Sequence, residues 1–150
     1  MRRKDREISY SEAIEILRKG EFGVLSMCTS NNEGYGIPLT FVLNNNEIYL
    51  HCSIEGSKLD YLRNNNKVSF CVVGKTEVLP SKFGALYESV IVSGFTSEIE
   101  GTEKHDALIL IVKKYSGDYI QEGKEYIINL YDKVRVIKLT IGSITGKARK

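Results

Sequence analysis

Hydrophobic residues recur along this chain at two spacings, and the change from one to the other marks out the elements. Tyr10, Ala13, Ile14 and Leu17 fall three and four residues apart, the stripe of an amphipathic helix. Ser9 ahead of Glu12 is a capping-box pattern, in which each side chain can satisfy an amide that the first turn leaves free. Gly20 ends this helix, with Arg18 and Lys19 at the negative end of its dipole. Phe22 to Thr29, Tyr35 to Leu43 and Glu47 to Cys52 read as strands of a meander. Asn31-Asn32-Glu33-Gly34 and Asn44-Asn45-Asn46 are the turns between them, because Asn and Gly accept positive φ. Pro38 cannot donate to a ladder, so the second strand has an edge, a bulge or a pairing break there.

Gly56 to Asn64 predicts a short helix with Leu59 and Leu62 inward, and Lys67 to Val73 a fourth strand. Gly74 to Lys82 has weak periodicity and contains Pro80, which predicts a loop. Tyr87 to Ile99 is a long fifth strand, in which Gly94 marks a sharp bend or a close backbone approach. Thr102 is placed to cap a third helix carrying Ala107, Leu108, Ile111, Val112 and Tyr115, closed by Gly117. Tyr119 to Tyr131 is apolar without a clean period. Val134 to Ile141 is the last strand, and Gly142 to Lys150 is expected to be exposed. The order α-β-β-β-α-β-β-α-β runs through meanders, which argues against a Rossmann unit and fits a small antiparallel barrel, closed or nearly so.

Composition narrows the class. At 150 residues, 42% hydrophobic and 27% charged, the chain suits one globular domain over residues 1–150. A net charge of +2, from 21 basic and 19 acidic residues, is too balanced to indicate a nucleic-acid partner. Arg2, Arg3, Lys4 and Arg6, then Lys147, Arg149 and Lys150, gather at the two ends, where solubility is the plain reading. Cys28, Cys52 and Cys71 are an odd set without close pairing, expected as free thiols in a reducing cytoplasm. The charged N-terminus lacks the apolar region of a signal peptide, and no apolar run reaches the roughly 18 residues of a membrane span. The expected location is therefore cytoplasmic.

The chemistry concentrates in His51-Cys52-Ser53-Ile54-Glu55-Gly56-Ser57-Lys58, which passes from a strand end through a tight loop into a helix. His51 and Ser53 share a face if the strand persists, while Cys52 points the other way. Free amides at Gly56 and Ser57, the Ser hydroxyls and the Lys58 ammonium could together hold a phosphate. The plainer reading is a polar connection in which Ser53 or Ser57 merely caps the helix. His51, Cys28 and Cys71 lack metal-ligand spacing, so no metal site is expected. Gly142-x-x-x-Gly146-Lys147 lacks the spacing of a P-loop. Asp5, Glu7, Glu12 and Glu15 read as a solvated face.

Several stretches, in order, resemble the nitroimidazole-resistance-like branch of the pyridoxamine-phosphate-oxidase-like flavoproteins. They are Met1 to Ile8, Glu21-Phe22-Gly23-Val24-Leu25, Ile37-Pro38-Leu39-Thr40-Phe41, Ile48-Tyr49-Leu50-His51 with Glu55-Gly56-Ser57-Lys58-Leu59-Asp60, Tyr87 to Gly94, and Ile144-Thr145-Gly146-Lys147. The resemblance implies a mainly β fold with peripheral helices, an FMN-binding split β-barrel that pairs as a homodimer with cofactor sites at the interface. It implies Pro38, Leu39 and Thr40 beside the flavin ring, His51 and Ser53 lining the site, and Lys58 at the phosphate. It also brings Ser89 and Val90 from the long strand, and Thr145 and Lys147 to close the pocket. Ser53 stands where relatives often have alanine, and residues 74–83 match nothing alignable. The C-terminal arginine–histidine substrate motif of the true oxidases is absent, which weakens vitamin B6 oxidation as the reaction.

The implied activity is FMN-dependent electron transfer from a reduced donor, such as a reduced nicotinamide, to a small organic acceptor, with His51 as the catalytic candidate. The alternatives are a non-catalytic module that binds flavin, F420 or haem, and an interaction domain with an empty cleft.

Overall fold

The structure, a computed structural model, describes residues 3–150. Met1 and Arg2, which belong to the basic N-terminal run and to the opening that carries the family resemblance, lie outside the described residues. Helix α1 (Tyr10–Lys19) begins at the expected capping box: the Glu12 amide donates to Ser9 Oγ at 3.3 Å, and the Ser9 amide to Glu12 Oε2 at 2.9 Å. Its buried face is Ala13, Ile16 and Leu17, whereas Tyr10, expected in the stripe, is exposed. There follow β1 (Phe22–Cys28), β2 (Gly34–Asn44), β3 (Glu47–Ser53), α2 (Lys58–Asn64), β4 (Lys67–Leu79) and β5 (Gly84–Ile99). Helices α3 (Gly101–Tyr115) and α4 (Ile120–Leu130) and strand β6 (Val134–Arg149) complete the chain.

All the ladders are antiparallel, in the order β1-β2-β3-β6-β5-β4, and β4 returns to β1. The return is the shortest ladder, Val24↔Cys71 to Ser26↔Ser69, and the β5–β6 ladder is the longest, running from Tyr87↔Arg149 to Ile99↔Val136. Because side chains alternate across a strand, this sheet serves two cores. Leu25, Phe41, Leu50, Phe70, Val92 and Leu139 fill the interior, joined by Leu17 of α1 and by Leu59 and Leu62 of α2. Val42, Tyr49 and Val136 face outward from β2, β3 and β6, and are covered by Ala107, Leu108 and Ile111 of α3 and Ile127 of α4.

The expected fold class, a mainly β split barrel with peripheral helices, is corrected here. The fold is a mixed α/β, sheet-rich one, because α3 and α4 build a hydrophobic core of their own on the outside of the sheet. The six strands form one continuous antiparallel sheet with no ladder missing between neighbours, rather than a split one. Residues 74–79, expected as loop, extend β4 as an arm paired from Thr76↔Tyr87 to Leu79↔Gly84. Most of that arm is exposed on both faces, so its sequence has no period to show. Gly142 to Arg149, expected as an exposed tail, is the second half of β6; its inward positions include Gly146 and Ala148, too small to register as a hydrophobic pattern. The stretch Tyr119 to Tyr131 is largely helix α4. Thr102 does not cap α3: Glu100 occupies the N-cap without a side-chain bond, and Gly101 follows at φ +64.

The end of α3 is tied to the sheet by polar contacts. Lys114 Nζ donates to the carbonyls of Gly20 at 2.6 Å and Phe41 at 2.8 Å, and lies 4.0 Å from the Phe41 ring centroid. The Phe41 amide donates to Tyr115 Oη at 3.0 Å. Replacing Lys114 with Met leaves two carbonyls without their charged donor; the expected loss is about 1–3 kcal/mol, read as a lower urea midpoint at unchanged slope. Gly94 is the close approach that the sequence suggested: a Cβ there would lie 2.1 Å from the Thr140 carbonyl oxygen, at the register shift between Ser93 and Gly94. Gly94→Ala forces the β5 and β6 backbones apart, and its expected cost is about 1–3 kcal/mol in the same assay.

Candidate functional site

Two strands that start as partners separate at the site. Strand β2 pairs with β3 only from Phe41↔Leu50 to Asn44↔Glu47, but with β1 along Gly34 to Thr40. The Gly34–Thr40 half of β2 therefore has no strand on its β3 side, and His51–Ser53 pair only with Val136, Arg135 and Val134 of β6. Pro38 lies in this one-sided half of β2, where a residue without N–H is tolerated. It is exposed, while Leu39 and Thr40 are half-buried.

Strand β3 does persist to Ser53, so His51 and Ser53 share a face. That is the face of Tyr49, turned toward α3 and α4; Cys52 points into the interior core, where burial pushes its thiol pKa up. The His51 ring is half-buried. Its Nδ1 is enclosed and has no hydrogen-bond partner, the one such side-chain atom among the described residues. Desolvation lowers the pKa of the ring, and with Nδ1 enclosed, Nε2 is the nitrogen left to the opening.

The loop after β3 folds on itself. The Glu55 amide donates to Ser53 Oγ at 3.2 Å, Gly56 turns at φ +115, and Lys58 Nζ reaches back to the Glu55 carbonyl at 3.5 Å. Ser57 takes the N-cap position of α2 without a side-chain bond, so neither serine caps the helix. Among the described residues Lys58 has no carboxylate partner.

The remaining expected residues lie elsewhere on the protomer. Ser89 pairs with Lys147, Val90 with Gly146, and Thr145 with Ile91. Ser89 and Lys147 are half-buried and Thr145 is exposed, but the Val90 side chain is buried in the interior core. His51 pairs with Val136, and from Val136 to Thr145 along β6 is roughly 30 Å at about 3.3 Å per residue. One protomer thus brings His51, Ser53 and Lys58 together and aligns Ser89, Thr145 and Lys147, but keeps the two groups apart.

Sequence reasoning missed the face on which the second group sits. The ladders align Pro38, Val24, Cys71, Ile91 and Thr145 in one row across β2, β1, β4, β5 and β6. The next row is Gly36, Ser26, Ser69, Ser93 and Ser143. Phe22, Val24, Val73, Ile91 and Phe95 on these strands are exposed. In sequence the serines look like ordinary outward positions, because only the register puts them side by side.

Two concavities flank these residues. An open groove of about 770 Å³ lies between α1 and the β4–β5 arm and touches none of the expected site residues. A second, of about 350 Å³, lies beside His51 and Ser53 against α3 and α4. Among the described residues no cluster of His, Cys, Asp and Glu could hold a metal, and the three cysteines are free.

Comparison with known proteins places this architecture. The profile of the family described as pyridoxamine 5'-phosphate oxidase matches residues 9–148. An uncharacterized protein of Rhizobium meliloti (strain 1021) is 26% identical over 98 residues, which cover 65% of this chain and 60% of that protein. A candidate 5-nitroimidazole antibiotic resistance protein from Bacteroides thetaiotaomicron superposes with a TM-score of 0.75 at 22% identity, covering 95% of this chain and 86% of the other. The FAD and heme binding protein from Mycobacterium smegmatis superposes with a TM-score of 0.79 at 16% identity, covering 97% and 74%. At these identities the superpositions establish a shared fold.

The enclosed His51 ring has a measurable consequence. Its folded pKa lies below the ordinary 6.5, so the unfolded chain takes up the proton first. The stability associated with the neutral ring is complete above about pH 6.5 and is lost as pH falls through the folded value. Side-chain NMR should find the His51 midpoint below the ordinary 6.5. The stability difference between the wild type and His51→Gln should shift against the wild type between about pH 7 and pH 5.

Proposed function

Because this chain belongs to the pyridoxamine 5'-phosphate oxidase family, we propose that it is an FMN-dependent oxidoreductase acting as a homodimer. It passes electrons from a reduced donor, such as a reduced nicotinamide, to a small organic acceptor. Residues 1–150 are read as one flavin-binding domain in the cytoplasm; among the described residues no helix is long and apolar enough to cross a membrane. The observation that carries the reading is Lys58, a cation with no carboxylate partner among the described residues, beside the Gly56 turn and the Ser53 hydroxyl. That donor set suits the phosphate of a flavin nucleotide.

In this reading Lys58 and the loop amides hold the phosphate, and the one-sided edge of β2 at Pro38, Leu39 and Thr40 borders the ring. Bound flavin supplies the capacity to accept and release electrons. His51, neutral near pH 7, presents Nε2 to orient an acceptor or hold a proton. The separation of His51 from Thr145 within one protomer supports a dimer, in which a second copy brings Ser89, Thr145 and Lys147, with the Val90 backbone, to the first copy's flavin. The uncovered face of Val24, Ile91 and the aligned serines suits such a partner. A nitro-aromatic acceptor is suggested by the description of the Bacteroides protein. A second reading, a non-catalytic module holding haem or F420, draws on the unpartnered His51 ring and on the Mycobacterium smegmatis protein.

Protein purified natively, mixed with FMN and desalted, is expected to keep the flavin absorption bands and to bleach with reduced nicotinamide. Lys58→Ala should weaken FMN binding about tenfold or more. Ile91→Asp on the uncovered face should sediment as a monomer and lose FMN. A protein that stays colourless in every preparation would sink the flavin assignment, and a Soret band would move the cofactor to haem.

A further inference from the structure

The second core leaves a space unfilled. Between β3, α3 and α4 lies the pocket of about 350 Å³, with walls formed by Leu108, Ile111 and Val112 of α3 and Ile127 and Leu130 of α4. An apolar cavity of about 150 Å³ already admits benzene, so this one has room for a substituted single ring. Ordered water needs two to four polar partners, and the Leu, Ile and Val side chains that make most of the helical walls provide none. Three polar groups stand at the β3 and β6 side, His51 and Ser53 from the end of β3 and Lys133 just before β6, and the exposed Tyr126 of α4 adds a phenol at the rim.

These polar groups have one sense. Nδ1 of His51 is enclosed without a donor or acceptor opposite it. A bare lone pair is more readily left unpaired than an N–H, so the proton belongs on Nε2, which then donates outward. Lys133 is exposed, with no carboxylate within bonding distance among the described residues, and contributes a positive charge at the rim. Ser53 Oγ accepts from the Glu55 amide, which leaves its own hydroxyl proton to donate. Donors and a cation at one end, and methyl groups with the Tyr126 ring over the rest, describe the complement of a particular molecule.

We propose that the α3–α4 pocket binds a small organic monoanion with an apolar, ring-sized body and a carboxylate-like head, the body among Leu108, Ile111, Ile127 and Leu130 and the head toward His51 and Lys133. The site shares His51 with the oxidoreductase reading, but its apolar walls and Lys133 lie outside the proposed flavin contacts, so the two readings are tested separately.

The test is a methyl and histidine NMR titration of the whole protein with benzoate, run with and without FMN. Benzoate is expected to shift the methyls of Leu108, Ile111, Ile127 and Leu130 together with the His51 ring. Acetate, which has the head without the body, and benzyl alcohol, which has the body without the charge, should each bind at least about tenfold more weakly. Lys133→Glu changes an exposed side chain, should leave the fold intact, and should weaken benzoate about tenfold. Ile111→Trp should fill the pocket and abolish the methyl shifts; if it does not fold, Lys133→Glu still decides. Methyls unmoved at about 10 mM benzoate, or equal binding of benzoate by the wild type and Lys133→Glu, would overturn the site. Equal binding of benzyl alcohol would overturn the anion assignment. Flavin retention, read separately in the visible spectrum, shows which of the two readings has failed.

Discussion

From Glu47↔Thr140 to Ser53↔Val134, β3 and β6 form a stretch of sheet that is buried on both faces along most of its length. Ile48, Leu50 and Cys52 go inward, and Tyr49 goes outward beneath α3. A strand in this position cannot slip by one residue without exchanging its two cores, so its register is strongly specified. The rest of the molecule is hung from it. The interior closes around its inner face, α3 and α4 dock on its outer face, and its last outward residues, His51 and Ser53, emerge from the outer core where β2 has separated from it.

That geometry accounts for the state of His51. It is the next outward residue after Tyr49, at the margin of the outer core, and so is only partly covered. The enclosed Nδ1 keeps the ring neutral and leaves Nε2 to meet a ligand. One residue on the other face, Cys52, is sealed in the interior with its thiol protonated. Two residues on, Ser53 ends β3 and its hydroxyl accepts from the loop that bends around Gly56 toward Lys58. A neutral hydrogen-bonding ring and an unpaired ammonium are thus set a short loop apart, one facing an apolar pocket and the other facing solvent.

Much of this was legible in the residues. The Ser9–Glu12 capping box and the Asn-rich turns were readable because each depends on local backbone chemistry, and the Gly94 approach because glycine inside a long strand signals it. The β4 arm and the second half of β6 were not. The arm has little buried face to impose a period, and β6 buries glycine and alanine where a hydrophobic pattern would need larger side chains. Helix α4 also lacked a clean pattern, since Tyr126 and Ile128 are exposed on either side of buried Ile127.

The strand–loop–helix passage from His51 to Lys58 is written in the residues themselves, as are the motifs along the chain that carry the family resemblance. Both are properties of residues near one another in the chain or of short motifs. The folded arrangement sets which way His51 faces, that Val90 lies in the core, and that Ser26, Ser69, Ser93 and Ser143 stand in one row. It alone also decided that α3 and α4 form a second core with a pocket in it. These depend on strand register and on which elements cover which face. Both are set by the summed burial of residues far apart in the chain, and no local pattern encodes that sum.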